Sequence, residues 1–370
     1  MAKKVAAIVG GESLLGKEIH ELAGDRYRLR VLGGEEEDIA VIAQIEDETT
    51  VLERLEKKSL ADADLVVLTA ASAAICKQAI KWAPKGVPVI DAKGLLDETP
   101  GARLYRPDGE KSKLLVIPTS AAQVLADCLL TLQSVQAVGR SVVNILEPAS
   151  EWGQAGVAEL QGQAISLLSF KPVLGKIFDA QVAFNLLSAY GEEATVSLQE
   201  KEVRIERHLA SLLAARNGPQ LPSLRLASAP VFHGSSMSLW VEFEAAPNRE
   251  KIEVALAKAG VDLRDASLEP PHNVGIAQQT VTPPGRSAWT ATILKRCGYG
   301  WLLTTCGLSP ALQWQQWSLP EASREADGSN SRVLFEFDRL RISRFRSCGH
   351  AAQECANDCH SCVQEHYVAL

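Results

Sequence analysis

The sequence predicts an α/β protein, in which a Rossmann-type parallel-sheet domain is followed by a smaller α+β domain. Short apolar runs alternate with amphipathic helical segments over the first 138 residues, and this alternation is typical of a parallel sheet. Residues 4–22 begin with a strand, a glycine turn and a helix, which is how a dinucleotide-binding unit opens. After that the pattern changes, and the predicted domains are 1–138 and 139–280, with an atypical ending at 281–370.

The first turn contains the candidate cofactor-binding residues. Glycine is favoured there because the backbone must approach a pyrophosphate closely, and the next helix offers its N-terminal N–H groups to the phosphate. A further glycine would be expected where Ser13 stands. A first α/β unit without any ligand gives the same pattern and stays an alternative. The candidates are Gly10, Gly11, Glu12, Ser13, Leu14, Leu15 and Gly16.

The second predicted strand, residues 27–32, is followed by four acidic residues at positions 35–38. A carboxylate at this point binds the ribose hydroxyls of NAD and repels the 2′-phosphate of NADP. The acidic run therefore favours NAD over NADP, and a solvated acidic loop is the alternative. Further strands are predicted at residues 39–45, 64–69, 87–91 and 114–117, and helices at 71–82 and 121–132.

The second part of the chain has the longer, mixed elements of an α+β domain. Strands or extended segments are predicted at residues 141–146, 180–187 and 230–244, and helices at 156–168, 203–214 and 249–259.

Composition excludes some classes of protein. The net charge of −7 argues against a nucleic-acid partner. No apolar run approaches the roughly 20 residues of a membrane span, and the N-terminus lacks the apolar segment of a signal peptide. A cytoplasmic protein is therefore expected. Cys76 and Cys128 stand in apolar helical contexts, which predicts inert core positions.

Several segments together resemble the aspartate-semialdehyde dehydrogenase family. They are VAAIVGGESLLG at residues 5–16, SEWGQAGVAEL at 150–160, AFN at 183–185, and PVFHG at 230–234 with the strand after it. The likeness covers residues 4–278 and implies a homodimer that is joined through the second domain, with apolar residues such as Val231, Leu239 and Val241 at the interface. It also implies the family's reaction, the NADPH-dependent reductive dephosphorylation of an acyl phosphate through a cysteine thioester.

The resemblance further implies a catalytic cysteine, glutamine, arginine and histidine. The matching positions here are Ala122, Glu147, Ser228 and Ser235, so all four residue types have changed. We therefore expect a pseudoenzyme that retains nucleotide binding. His233 is predicted on the same strand face as Ser235, either as a substitute base or as a half-buried histidine. The alternatives are a structural or regulatory dimer without nucleotide, and an oxidoreductase of altered chemistry that acts on an aldehyde or acyl phosphate.

The ending of the chain is rich in cysteine and tryptophan. Cys355, Cys359 and Cys362 have a C-x₃-C-x₂-C spacing, which iron–sulfur or zinc sites use. A second interpretation is that the ending is translated in a shifted reading frame. Codons can be chosen for residues 289–307 such that the other frame encodes an ending typical of the family. An unrelated extension is a third. The out-of-frame interpretation predicts no metal, and irregular packing from about residue 290 onward.

Overall fold

The structure is a computed structural model of the 370-residue chain. It describes residues 3–23, 26–33, 42–45, 48–70, 72–106, 112–173, 175–264, 267–277, 289–295 and 300–307. Among these residues no helix has both the length and the apolar character that crossing a membrane requires.

The first sheet has six parallel strands in the order β2-β1-β5-β6-β8-β7. Strand β1 lies inside the sheet, and its five residues are buried because both faces are covered. The parallel α/β architecture predicted for this part of the chain is therefore confirmed. The strands are Val5–Val9 (β1), Arg28–Leu32 (β2), Leu65–Leu68 (β5), Val89–Asp91 (β6), Ala102–Leu104 (β7) and Leu114–Val116 (β8), with a separate hairpin of Ile42–Ile45 (β3) and Glu48–Val51 (β4), and the helices are Leu14–Ala23 (α1), Ala73–Trp82 (α2) and Ser120–Val135 (α3).

The second sheet is mixed, with the strand order β10-β9-β11-β14-β13-β12. Helices α3, α5 and α6 pack on one face of it, and apolar side chains from all three form one core with alternate residues of β9, β10 and β11. The elements are Val138–Glu147 (β9), Gly153–Leu168 (α4), Leu198–Ala214 (α5), Ser223–Ser228 (β10), Ser235–Phe243 (β11), Arg249–Lys258 (α6), Asp262–Leu263 (β12), Asn273–Ala277 (α7), Trp289–Lys295 (β13) and Gly300–Gly307 (β14).

Two predicted extended segments have other structures. Residues 180–187 form turns in which Phe184 has a φ of 62°, and a single bridge joins Leu187 to Ser228. Side chains of α4 hold this segment, since Gln163 accepts hydrogen bonds from the backbone N–H groups of Val182 and Ala183. Residues 230–234 also precede the strand rather than belong to it.

Strands β13 and β14 pair regularly with each other, and β14 also pairs with β11. The prediction of irregular packing from residue 290 is therefore wrong for these two strands. Their sequences, WTATILK and GWLLTTCG, are rich in the β-branched and aromatic residues that fit a pleated sheet. Residues from 308 onward, with the three tail cysteines, lie outside the described residues.

Candidate functional site

The predicted glycine turn is closed against its neighbouring strands. The N–H groups of Gly10 and Gly11 donate to the carbonyl oxygen of Leu32, at 2.9 and 3.2 Å. Gly10 has a φ of 85°, and a Cβ atom there would lie 2.4 Å from the backbone nitrogen of Ala70. A Cβ at Gly16 would lie 2.6 Å from the Gly10 carbonyl oxygen. Gly10 and Gly16 thus need glycine's missing side chain, and Gly10 also needs its backbone freedom.

Ser13, which stands where a further glycine was expected, caps helix α1. Its Oγ accepts a hydrogen bond from the N–H of Gly16 at 3.0 Å and donates to the Gly10 carbonyl at 2.8 Å. The N–H groups of Leu14 and Leu15 have no hydrogen-bond partner among the described residues. These two donors at the positive end of a helix suit a phosphate oxygen. The acidic run at 35–38 lies outside the described residues.

Three of the four family positions come together at one end of the second sheet. Glu147 ends β9 and pairs with Ser228, the last residue of β10. Ser235 begins β11, which runs antiparallel along the other side of β9. All three residues are at least 95% buried, on the face that the helices cover. The fourth position, Ala122, is buried in the first turn of α3.

His233 lies elsewhere than predicted. It stands in a bend two residues before β11 and is exposed, so it is neither half-buried nor part of the strand. The strand begins later because Gly234, with a φ of 82°, turns the chain immediately before Ser235.

A lysine whose side chain is only 12% exposed lies beside Glu147. The ammonium group of Lys201, on helix α5, contacts the Glu147 carboxylate and lies 2.8 Å from an oxygen of Glu151. It also lies 4.9 Å from the ring centroid of Trp152, a cation–π distance. The Trp152 indole in turn donates to the Tyr190 hydroxyl at 2.9 Å. One cation therefore serves two buried carboxylates.

Burial and charge set the protonation of this group. Burial raises the pKa of Glu147 to about 7, with Lys201 lowering it and Glu151 raising it further. Burial lowers the pKa of Lys201, but the two carboxylates raise it more, so the net direction is upward. Lys201 is therefore charged at neutral pH, and Glu147 takes up a proton as the pH falls through about 7.

His208, on the same helix as Lys201, was not singled out from the sequence. Its Nδ1 accepts a hydrogen bond from the N–H of Thr119 at 3.0 Å, and its Nε2 donates to Asp97 at 3.1 Å. Burial works against ionisation of Asp97, yet hydrogen bonds from His208 and Arg207 bring its pKa down to about 2. His208 thus ties α5 to the start of α3 and to the loop after β6. One feature of the sequence could have indicated that His208 is buried, namely its position three residues after Ile205 on the same helix face.

Cys76 and Cys128 cannot replace the missing thiol. Cys76 and Cys128 are both buried, as predicted, and burial raises the pKa of each thiol to about 12. Buried thiols of this kind are poor nucleophiles, because the thiolate is the reactive form. Within the described ranges no three histidine, cysteine or acidic side chains are grouped as metal ligands.

Solved structures share this arrangement of two sheets. A probable aspartate-semialdehyde dehydrogenase from Pseudomonas aeruginosa has a TM-score of 0.69 at 22% identity, over 84% of this chain and 96% of the other. The fold is that of the aspartate-semialdehyde dehydrogenases. An aspartate-semialdehyde dehydrogenase with NADP from Candida albicans is similar at a TM-score of 0.58 and 13% identity, over 84% of this chain and 96% of that one.

Proteins related in sequence match a shorter part of this chain than the solved structures do. A USG-1 protein homolog from Azotobacter vinelandii is 34% identical over 148 residues, which are 40% of this chain and 43% of that protein. An aspartate-semialdehyde dehydrogenase from Rickettsia bellii is 29% identical over 142 residues, 38% of this chain and 41% of that enzyme. The matched stretches thus span less than half of these relatives. No protein-family model matches the chain.

The raised pKa of Glu147 predicts a pH-dependent stability that a glutamine would remove. Between pH 4.5 and 7 the folded protein holds a proton on Glu147 that the unfolded chain has released. Stability from this group is present below pH 4.5 and is lost as the pH rises through 7. Urea unfolding from pH 4.5 to 8 measures this fall in the free energy of unfolding. In Glu147→Gln the fall should be smaller by on the order of 2 kcal/mol.

The matched control is Glu242→Gln, which removes a carboxylate from a partly exposed ion pair with Arg140. Exposed ion pairs contribute little to stability. The control should therefore follow the pH curve of the unchanged protein, and a Glu147→Gln curve that runs parallel to both would contradict the assignment.

Proposed function

We propose that the chain binds a nicotinamide dinucleotide at the turn of residues 10–16, with NAD favoured over NADP, and lacks the phosphorylating dehydrogenase reaction. The observation that carries the proposal is the closed glycine turn, which leaves the N–H groups of Leu14 and Leu15 without partners among the described residues. The C. albicans structure of the same fold was solved with NADP. The acidic residues at 35–38 support NAD, since they would repel a 2′-phosphate.

The absence of thioester chemistry follows from the positions that the resemblance assigns. Alanine stands at the thiol position, Ala122, and its surroundings are core. Glu147, at the glutamine position, is paired with Lys201. Ser228 and Ser235 can supply neither the guanidinium nor the imidazole that the reaction needs. The chain is in this proposal a pseudoenzyme that keeps the fold and the nucleotide turn.

A homodimer through the second sheet is part of the proposal. Of the three residues expected at the interface, Leu239 and Val241 face the helices and belong to the core, and the half-buried Val231 precedes strand β11. The opposite face carries Val142, 42% exposed, beside an exposed Asn144 and a half-buried Trp240. This is the face that a two-fold partner would cover, since such an interface pairs the same patch on both subunits.

Titration calorimetry with NAD and NADP tests nucleotide binding. Proline at the first helical position removes one N–H and is compatible with a helix start, so Leu14→Pro should weaken NAD binding about tenfold, the value of roughly one hydrogen bond. Leu14→Ala keeps the N–H and is the matched control. We expect NAD to bind no more weakly than NADP. Binding of neither nucleotide would favour the structural or regulatory dimer, and a clear preference for NADP would contradict the assignment to NAD.

A steady-state assay tests the chemistry. The purified protein should show no phosphate-dependent oxidation of aspartate semialdehyde above the background without protein, because alanine stands at the thiol position and the thiols of Cys76 and Cys128 are buried. Turnover that Cys128→Ser abolishes would show that the nucleophile is Cys128. Turnover lost in Glu147→Gln would favour the oxidoreductase of altered chemistry.

A further inference from the structure

The ammonium group of Lys201 lies in a cage of two carboxylates and an aromatic ring. It contacts Glu147, lies 2.8 Å from an oxygen of Glu151, and lies 4.9 Å from the centroid of the Trp152 ring. Carboxylate acceptors beside the face of an indole are the groups by which proteins bind an ammonium ion. The walls of this cage come from residues 147–152, whereas the cation comes from helix α5.

The walls are held by contacts that do not involve the ammonium group. Glu147 is fixed by the pairing of β9 with the strands on both sides of it. The turn that carries Glu151 donates two backbone hydrogen bonds, at 2.9 and 3.0 Å, to carbonyl groups of residues 231–232. The Trp152 indole donates to the Tyr190 hydroxyl at 2.9 Å, and the two rings meet edge to face with their centroids 5.9 Å apart. These contacts stay when the cation is removed, so the cage should keep its shape.

Helix α5 is also held by groups other than Lys201. The Glu202 carboxylate accepts a hydrogen bond from the backbone N–H of Leu226, in β10, at 2.6 Å. Further along the helix, His208 donates to Asp97 at 3.1 Å. Because these contacts fix the helix on both sides of the protein core, a shorter side chain at position 201 should leave an empty channel rather than move the helix.

Lys201 leaves polar atoms around the cage unpaired. The Oε1 atom of Glu151 and the Oγ atom of Ser235 are buried and have no hydrogen-bond partner among the described residues. Ser235 is 3% exposed and lies at the same end of the second sheet as Glu147, on the face that the helices cover. These acceptors suit a cation that donates several hydrogen bonds, as a primary ammonium group does. A quaternary ammonium group has no N–H donor and does not suit them.

We propose that Glu147, Glu151 and Trp152 form a binding site for a primary ammonium group, and that Lys201 occupies this site as an internal ligand. The lysine closes the site to external amines in the intact protein, which makes its contact with the cage an autoinhibitory one. The site opens when the side chain at position 201 is shortened, and it then takes a primary alkylammonium ion. The proposal does not depend on nucleotide binding.

Adding the missing part of the side chain as a separate molecule tests the proposal. Lys201→Ala in the full chain removes three carbon atoms and the ammonium group, which together correspond to n-propylammonium. At pH 7 the urea midpoint of this variant should rise with propylammonium chloride and level off in the millimolar range, because a ligand that binds only the folded state stabilises it. Tetramethylammonium chloride at the same ionic strength has the same charge without N–H donors, and it should act no more than sodium chloride does.

Further variants separate the site from general stabilisation. Lys201→Met fills the channel with an uncharged side chain and should not respond to propylammonium. Lys201→Ala combined with Glu147→Gln and Glu151→Gln removes the charges of the cage and should also lose the response. If Lys201→Ala is unfolded in plain buffer, propylammonium and not tetramethylammonium should restore its helical circular dichroism signal. Equal effects of the two ammonium salts on Lys201→Ala, or a response of the unaltered protein as large as that of the variant, would overturn the proposal.

Discussion

Lys201→Met is expected to lower the free energy of unfolding by about 3–5 kcal/mol at pH 7, the cost of breaking a buried ion pair from one side. The reason is that Glu147 and Glu151 would keep their buried positions without a cation between them. Methionine retains most of the apolar length of the lysine stem, so lost packing contributes little. Urea unfolding of both proteins at pH 7 measures the difference.

The size of this loss should depend on the carboxylates. At pH 5 it should shrink, because Glu147 is protonated there in the folded state. Replacing all three members together, as Lys201→Met with Glu147→Gln and Glu151→Gln, should recover most of the loss, since whole buried ion groups are often neutral to remove. Arg140→Met, at a partly exposed ion pair, is the control and should cost less than about 1 kcal/mol. A Lys201→Met loss as small as the control's would show that the group is solvated.

The role of Lys201 illustrates what the sequence could not supply. Helix α5 was recognisable from its apolar period, but a lysine on a helix of mixed charge is normally solvated. Lys201 is instead on the buried face, four residues before Ile205 and seven before His208. Only the position of α5 over the ends of β9 and β10 brings Glu147 to it. The sequence identified Glu147 as a changed residue and left its partner unknown.

The fold was easier to predict than the site because its signals are local. Apolar runs between turns predicted five of the six strands of the first sheet to within a few residues, while β7 was not predicted. Strand β1 is buried along its length. The prediction of an extended segment at 180–187 was wrong because its structure depends on contacts that are distant in sequence. Its turns are held by long-range hydrogen bonds, such as those that the N–H groups of Val182 and Ala183 donate to the Gln163 side chain, which no local pattern reveals. The domain limits at 138 and 280 stay predictions.

The glycine turn gives the second large expected effect, because two glycines with nearly the same φ angle have very different surroundings. Gly10 has a φ of 85° and Gly86 a φ of 83°. A Cβ at Gly10 would lie 2.4 Å from the Ala70 backbone nitrogen, whereas at Gly86 nothing lies within 4 Å. Gly86→Ala should therefore cost only the left-handed backbone strain, about 1–2 kcal/mol. Gly10→Ala should cost that amount plus the displacement of β1 from the end of β5, about 3 kcal/mol or more in total.

Thermal and urea unfolding of both variants measures the difference, and NAD calorimetry shows its effect on the turn. If Gly10→Ala opens the turn, the carbonyl of Leu32 loses its two donors at Gly10 and Gly11. The N–H groups of Leu14 and Leu15 then no longer face one phosphate, so NAD binding should be lost in Gly10→Ala and kept in Gly86→Ala. Equal losses of stability in the two variants would mean that the close approach to Ala70 can relax. The turn would then be held by φ alone, and a side chain at position 10 would leave the nucleotide site in place.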